Sequence, residues 1–197
     1  MQQLKMYWFT DSPMREVAVP EGFSYSHPKN AADRSAWRSC LRGGWLVDES
    51  ISDEAAWDKE IGSWKDIVPE TDVWFLDYGG EHIGTITGFV RSDGLGDMHQ
   101  VAMRSDWRGK GLGKLLPGVV QKDLRARGVK IVELTSGESR PAALKSYLRA
   151  GFVPVEYDEG MPERWEAFLK SAGIHSVRMV REDGSFFRLL NPEEGEE

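Results

Sequence analysis

Residues 97–113 constrain this chain more than any other stretch. Asp97, His99, Val101 and Met103 alternate with Met98, Gln100, Ala102 and Arg104, which is the two-residue period of a strand. After Trp107 the sequence changes to Arg108, Gly109, Lys110, Gly111, Leu112 and Gly113. Three glycines in five positions let backbone N–H groups approach a ligand with no side chains in the way. Leu112, Leu115, Leu116, Val119, Val120 and Leu124 then follow helical spacing. A helix that opens in this way presents orphan N–H groups and the positive end of its dipole, which suits a phosphate or pyrophosphate. Arg108 and Lys110 add full positive charges. The stretch predicts a strand, a pyrophosphate cradle and a helix.

Two familiar phosphate loops are excluded by spacing. A Walker loop needs a glycine five residues before its Gly-Lys pair, and Gly113-Lys114 has Arg108 there; Leu115 stands where Ser or Thr is required. The dinucleotide pattern G-x-G-x-x-G, begun at Gly109, would need its third glycine where Lys114 stands. What remains is R-x-x-G-x-G between a strand and an amphipathic helix. In this the sequence resembles the GNAT superfamily of acetyl-CoA-dependent N-acetyltransferases, which carries Q/R-x-x-G-x-G/A between its fourth strand and the next helix. A second block supports the resemblance. The apolar run 129–135 is a candidate buried strand, followed by Arg140-x-x-Ala143-x-x-x-Tyr147-x-x-x-Gly151-Phe152. The family pattern is Asn-x-x-Ala-x-x-x-Tyr-x-x-x-Gly-Phe, so only the Asn position departs. The close resemblance covers roughly residues 97–155.

The resemblance implies an α+β chain with the GNAT (acyl-CoA N-acyltransferase) fold, a mixed, mostly antiparallel sheet of six to seven strands flanked by helices. It implies acetyl-CoA as co-substrate and no metal. Residues 1–190 are expected to form a single domain, with 1–21 as an N-terminal extension packed on it by Tyr7, Trp8 and Phe9. The acidic tail 191–197 is expected to be disordered.

At 197 residues the chain can bury a sizeable core without metals or disulfides. Cys40 is its one cysteine, which excludes an internal disulfide and is read as a buried structural residue. A net charge of −7 argues against a general nucleic-acid binder, and it agrees with a cationic amine drawn to an acidic cleft. No stretch has the apolar length of a membrane span, and no signal-peptide layout opens the chain. The expectation is a cytoplasmic protein that neither enters a membrane nor binds nucleic acid.

Along the chain, residues 22–27 alternate as a strand. Asn30 caps a helix to about Arg42, with Arg38 facing solvent and Ala32, Trp37, Cys40 and Leu41 facing inward. Ser52 caps a second helix to about Ile67, closed by Pro69. The resemblance makes these two helices walls of an acceptor pocket, which Trp45, Trp57 and Trp64 either line or back as core. Residues 72–78 and 81–91 form a hairpin across Gly79-Gly80. Pro117 lies well inside the helix after the loop, so that helix either kinks or begins as a single turn. Pro154 places the strand at 153–157 near a sheet edge. Pro162 and Gly173 bound an inserted helix, and residues 175–181 and 185–190 are final strands. Phe186 and Phe187 there are either core or a homodimer surface.

Acetylation of an amine needs a bound thioester, a neutral amine, a proton acceptor and a donor to the leaving thiolate. By the resemblance, Arg108, Gly109, Lys110, Gly111, Leu112 and Gly113 hold the pyrophosphate. The backbone of Val101, Ala102 and Met103 holds the pantetheine arm, and Arg140 reaches a CoA phosphate in place of the family's Asn contact. Tyr147 protonates the thiolate. For the base, His99, Asp97 and water alone all stay open. The strand period puts Asp97 and His99 on one side with Val101 and Met103 beyond them. The acceptor is a small-molecule or peptide amine. A competing reading is an acetyl-CoA-binding sensor or partner-binding module without turnover.

Overall fold

The structure, a computed structural model, describes residues 3–14, 17–44 and 47–191. Along the chain the elements are β1 (Leu4–Phe9), β2 (Phe23–Ser26), α1 (Ala32–Leu41), α2 (Asp53–Trp57), a π-helical turn (Asp58–Gly62) and α3 (Pro69–Asp72). Then come β3 (Val73–Tyr78), β4 (Glu81–Val90), β5 (Gly96–Met103), short 3-10 turns at Ser105–Trp107 and Leu112–Lys114, and α4 (Leu115–Ala126). The last elements are β6 (Ile131–Ser136), α5 (Pro141–Arg149), β7 (Val153–Glu156), α6 (Met161–Ala172), β8 (Val177–Arg181) and β9 (Phe186–Leu190). They form two compact units, one of Met14–Lys130 and one of Met1–Pro13 with Ile131–Glu197. Nine strands among the described residues correct the expected six to seven. Of the tail expected to be disordered, residues 192–197 lie outside the described residues.

In the unit of Met14–Lys130, β2, β3, β4 and β5 pair antiparallel in that order. One face of this sheet carries Val73, Phe75 and Phe89, which pack with Trp37 and Leu41 of α1, Trp57 of α2 and Ile61 of the π-helical turn. The other face receives α4, whose Leu115, Leu116, Val120 and Leu124 are buried. That approach is close because Gly88 has no side chain. A Cβ placed there would lie 2.2 Å from Val120 Cγ1, far inside van der Waals contact.

Two expectations for the helices are refined by position. The chain after the glycine loop forms a 3-10 turn first, and α4 begins at Leu115. Pro117 therefore sits in the first turn of the helix, where the missing N–H had no intrahelical partner in any case. In α1, Ala32 is exposed and Arg38 is buried, the reverse of the expected facing. Arg38 donates to the Asp48 carbonyl and lies 3.7 Å from Asp53 and 3.9 Å from Glu49. Its charge is compensated inside, so burial follows a partner set that helical spacing does not reveal. The second helix also ends early: Ser52 Oγ accepts from the Ala55 N–H at 3.1 Å as expected of a cap, but the turn widens at Asp58. Pro69 opens α3 instead of merely closing the segment before it.

In the other unit the strand order is β6-β1-β7-β8-β9. Residues 4–9, assigned to an extension from sequence, form a strand paired along its length with β6, from Leu4 opposite Ser136 to Phe9 opposite Ile131. Leu4, Met6 and Trp8 are fully buried. β7 is not an edge strand. It pairs antiparallel with β1 at Val153 and Pro154 and parallel with β8 at Val155 and Glu156. Pro154 is tolerated because the two partners use different halves of a four-residue strand. The parallel β7–β8 step is made by α6, as parallel neighbours require a crossover. Among the described residues no helix is long and apolar enough to cross a membrane.

Because Gly88 sets the distance from α4 to the sheet, Gly88→Ala is expected to cost about 1–3 kcal/mol by overpacking. The same change in a Val120→Ala background should cost clearly less, since the clashing methyl carbons are gone. Urea unfolding of the four proteins measures this coupling; strictly additive losses would show that the contact does not set the spacing.

Candidate active site

β5 carries one residue more than its neighbour. Thr87 pairs with His99 and Thr85 with Ala102, so Ile86 alone faces both Gln100 and Val101. This is a bulge, and it is built by Gln100 at φ +53°, a left-handed conformation unusual for any residue but glycine. The surplus residue reverses the alternation. Asp97 and His99 share their face with Ala102, while Met103 turns to the face of Met98. The expectation that Val101 and Met103 continue the side of Asp97 and His99 is therefore corrected: a strict two-residue period cannot survive an inserted residue.

The π-helical turn lies against this bulge. Its widened hydrogen bond runs from the Ser63 N–H to the Asp58 carbonyl at 2.7 Å, and it carries Glu60. Gln100 Nε2 donates to Glu60 Oε2 at 2.8 Å. His99 is mostly buried, and its Nε2 has no hydrogen-bond partner among the described residues. Burial pushes its imidazole below the usual histidine range, with the Glu60 backbone opposing in part. The ring is neutral at pH 7 with a lone pair to offer. Trp64 lies 5.1 Å from the His99 ring and 5.8 Å from Phe89, and is itself exposed. Trp57 is core, edge-on to Trp37. Trp45 lies outside the described residues. Asp97 is within 3.6 Å of Arg91 at the start of β5, so its charge already has a cation.

The glycine-rich loop follows β5 as expected. Gly109 and Gly111 take φ of +75° and +73°, and a Cβ placed at Gly109, Gly111 or Gly113 meets nothing within 4 Å. The space above the loop is open up to the start of α4, a twelve-residue helix. The two cations of the loop are not aimed there. Arg108 donates through Nε to the Met103 carbonyl at 2.8 Å and through its terminal nitrogens to the carbonyls of Arg42 at 2.7 Å and Gly43 at 3.4 Å. The last two are the carbonyls just past the C-terminal end of α1, where a cation is favoured by the helix dipole. Lys110 lies over the Trp107 ring, 4.4 Å from its centre. Arg108 thus joins the end of β5, the loop and the end of α1.

The second motif falls in the other unit. Tyr147 sits on α5, is buried, and has its phenol pushed up to about 12 by that burial, with Arg140 acting in the opposite sense. Gly151, at φ +91°, ends the helix with the Phe152 N–H bonded to the Tyr147 carbonyl at 3.0 Å. Phe152 packs against the Tyr147 ring at 6.1 Å. The Gly-Phe pair is therefore the stop that holds Tyr147 in place. Cys40 is buried, with its thiol pushed up to about 12, the state of an inert structural cysteine. Glu60, Gln100 and Thr87 were not singled out from sequence; no signal in the chain marks a π-turn or a left-handed glutamine.

Comparison with known proteins bears on the family and the fold. A profile of the Acetyltransferase (GNAT) family matches residues 34–152, more than half of the chain. A mycothiol acetyltransferase of Thermomonospora curvata is 30% identical over 155 residues, covering 75% of this chain and 50% of that protein. A mycothiol acetyltransferase of Corynebacterium glutamicum is 28% identical over 147 residues, covering 70% and 49%. The chain thus spans about half the length of the curated relatives it matches. Among solved structures, a GCN5-related N-acetyltransferase from Sphaerobacter thermophilus aligns with a TM-score of 0.60 at 23% identity, over 77% of this chain and 47% of that one. The likeness establishes the α+β fold class.

Arg108→Lys removes the planar fork that reaches three carbonyls and leaves one point charge in its place. The expected result is a loss of about 1–3 kcal/mol in unfolding free energy and faster amide exchange across residues 109–113. Unchanged exchange in the loop would show that Arg108 does not hold it.

Proposed function

The chain belongs to the GNAT acetyltransferase family, and from that premise we propose that it transfers an acetyl group from acetyl-CoA to a primary amine by direct attack in a ternary complex. The observation that carries the reading is the glycine-rich loop, open at Gly109, Gly111 and Gly113, that leads from the strand of His99 into the N-terminus of α4. Such a loop presents amides and the positive end of a helix dipole to a pyrophosphate. The backbone of Gly109, Lys110, Gly111, Leu112 and Gly113 is proposed to hold that group, with Arg108 positioning the loop. Backbone groups of Val101, Ala102 and Met103 are proposed to bind the pantetheine arm. The Met103 carbonyl already accepts from Arg108, which leaves Val101 and Ala102 the larger share.

In the reaction the amine nitrogen attacks the thioester carbonyl carbon, the carbon–sulfur bond breaks, and the sulfur leaves as a thiolate. His99 takes a proton from the incoming amine. It is preferred to Asp97 because its Nε2 is unoccupied and Asp97 faces Arg91. Tyr147 is proposed to return a proton to the thiolate. Its raised pKa of about 12 keeps the phenol protonated at neutral pH, as a proton donor must be. The acceptor is proposed to be a small molecule, in keeping with the relatives named mycothiol acetyltransferases. Arg140 in the place of the family Asn favours a second reading, a domain that binds acetyl-CoA without turning it over.

Calorimetric titration with acetyl-CoA tests the cradle. Micromolar binding is expected, and Gly113→Trp, which fills the open space without a positive φ, is expected to abolish it; no binding to the unaltered protein would overturn the reading. Release of free CoA only when amines are added would separate turnover from sensing. A base with a depressed pKa also sets the pH profile. At saturating amine, kcat is expected to be flat at neutral pH and to fall as pH drops through a value below 6.5, where His99 becomes protonated. His99→Gln should remove that limb. A limb that persists in the variant would assign the base elsewhere.

A further inference from the structure

Around His99 the structure collects hydrogen-bond acceptors whose donors are missing. Gln100 is more than nine-tenths buried, and its Oε1 has no partner among the described residues. The assignment of its amide is settled by chemistry: the Glu60 carboxylate only accepts, so the amide nitrogen must face it and the oxygen must face away. Thr87, fully buried and directly opposite His99 in the sheet, has an unpartnered Oγ1. His99 Nε2 is the third such atom. Behind Gln100 stands the negative charge of Glu60, itself mostly buried, with the exposed Lys59 ammonium 3.9 Å from its other oxygen. Unpartnered buried polar groups are costly, and each requires an explanation. A bound group with several donors would satisfy all three atoms, and a positive charge on it would suit the Glu60 carboxylate.

Two backbone irregularities produce this arrangement. The left-handed φ of Gln100 brings its side chain to the element that carries Glu60, and the π-helical turn places Glu60 to meet it. Strained residues and π-turns of this sort concentrate at functional sites. Trp64 covers His99 from the solvent side with an exposed ring, and an aromatic face also attracts a cation.

We propose that Gln100, Thr87 and Glu60 form a recognition site for a primary ammonium ion beside His99. This rests on the acetyl-transfer reading, because the ion would be the acceptor amine in its protonated form. Gln100 Oε1 and Thr87 Oγ1 accept two of its three N–H donors, and the third faces His99 Nε2, which removes that proton to give the neutral amine; the second proton, lost from the nitrogen after attack, balances the one that the leaving thiolate gains. Glu60 is a positioning residue: it holds the Gln100 amide and supplies the charge that favours an ammonium over a neutral group of the same shape.

The test uses the whole chain with n-butylammonium as probe and n-butanol as its neutral counterpart, followed by the NMR signal of the Trp64 indole. Saturable binding of the cation and at least tenfold weaker response to the alcohol are expected. Glu60→Gln, which keeps shape and removes charge, should weaken cation binding by about tenfold or more, the effect of losing one charged contact. Thr87→Val should weaken it as well. Neither should alter the response to butanol. Equal affinity of the unaltered protein and Glu60→Gln for the cation would overturn the proposal. CoA release from acetyl-CoA in the same samples reports separately on the underlying reading: ammonium binding without CoA release would retain this site and remove acetyl transfer. CoA release with no charge preference would do the reverse.

Discussion

The residue inserted in β5 governs where the chemistry of this protein can sit. A regular strand would continue the side of His99 through Val101 to Met103. With the bulge, His99 and Ala102 face the helices α1 and α2 together, and Met103 turns under α4. A left-handed non-glycine residue costs on the order of 1–3 kcal/mol, and it persists here because it is held from outside the strand. The hydrogen bond to Glu60 does this, and it exists because the helix opposite also departs from regularity, closing its turn over five residues from Ser63 to Asp58. One extra residue in a strand meets one extra residue in a helical turn. Neither irregularity has a local reason in propensity; each makes sense through the other.

The loop after β5 shows a division of labour between charge and backbone. In a chain with a net charge of −7, the two cations of an anion-binding loop are expected to point at the anion. Instead Arg108 is consumed by three carbonyls, two of them past the end of α1, and Lys110 rests on Trp107. The helix dipole gives the reason for the first: the carbonyl end of α1 needs positive charge as much as a phosphate would. What remains for an anion is a row of amides leading to the start of α4, and amides held in a fixed loop are worth more than mobile lysines because their reorganisation is already complete. The first residue of R-x-x-G-x-G is, in this structure, architecture for the glycines that follow it.

Much of this was legible in the sequence wherever a single local rule acts alone. The hairpin of β3 and β4, the glycine loop and α4, the cap at Ser52 and the stop at Gly173 all follow from period, turn residues or capping. The parts that were not legible are those in which two distant segments settle a conflict. Arg38 belongs to the polar stripe of α1 by spacing and is buried because Asp48, Glu49 and Asp53 meet it from the next segment. Residues 4–9 read as an aromatic extension because Tyr7, Trp8 and Phe9 follow one another and Tyr7 is buried as Trp8 is, which hides the alternation of Leu4, Met6 and Trp8; only pairing with β6 and β7 reveals the strand. Pro154 pointed to an edge, and the rule fails where a short strand divides its two partners between its two halves. Of the candidate site, His99 and the loop were singled out by strand period, glycine spacing and the resemblance, while the pairing of Glu60 with Gln100 was invisible because it depends on two departures from regular structure.

Burial serves both proton-handling groups of the proposed reaction, in opposite directions. Removing water disfavours whichever form is charged, so the imidazole of His99 is held neutral and the phenol of Tyr147 is held neutral as well. One is thereby left without a proton and ready to take it, the other with a proton and ready to give it, from one physical cause. The same desolvation weakens His99 as a base, because the imidazolium it forms is also disfavoured. A compensating negative charge is needed when the proton moves, and the Glu60 carboxylate, which holds the neighbouring Gln100, is the group proposed to supply it. The bulge that strains Gln100 thus links the charge of Glu60 to the group that must become positive.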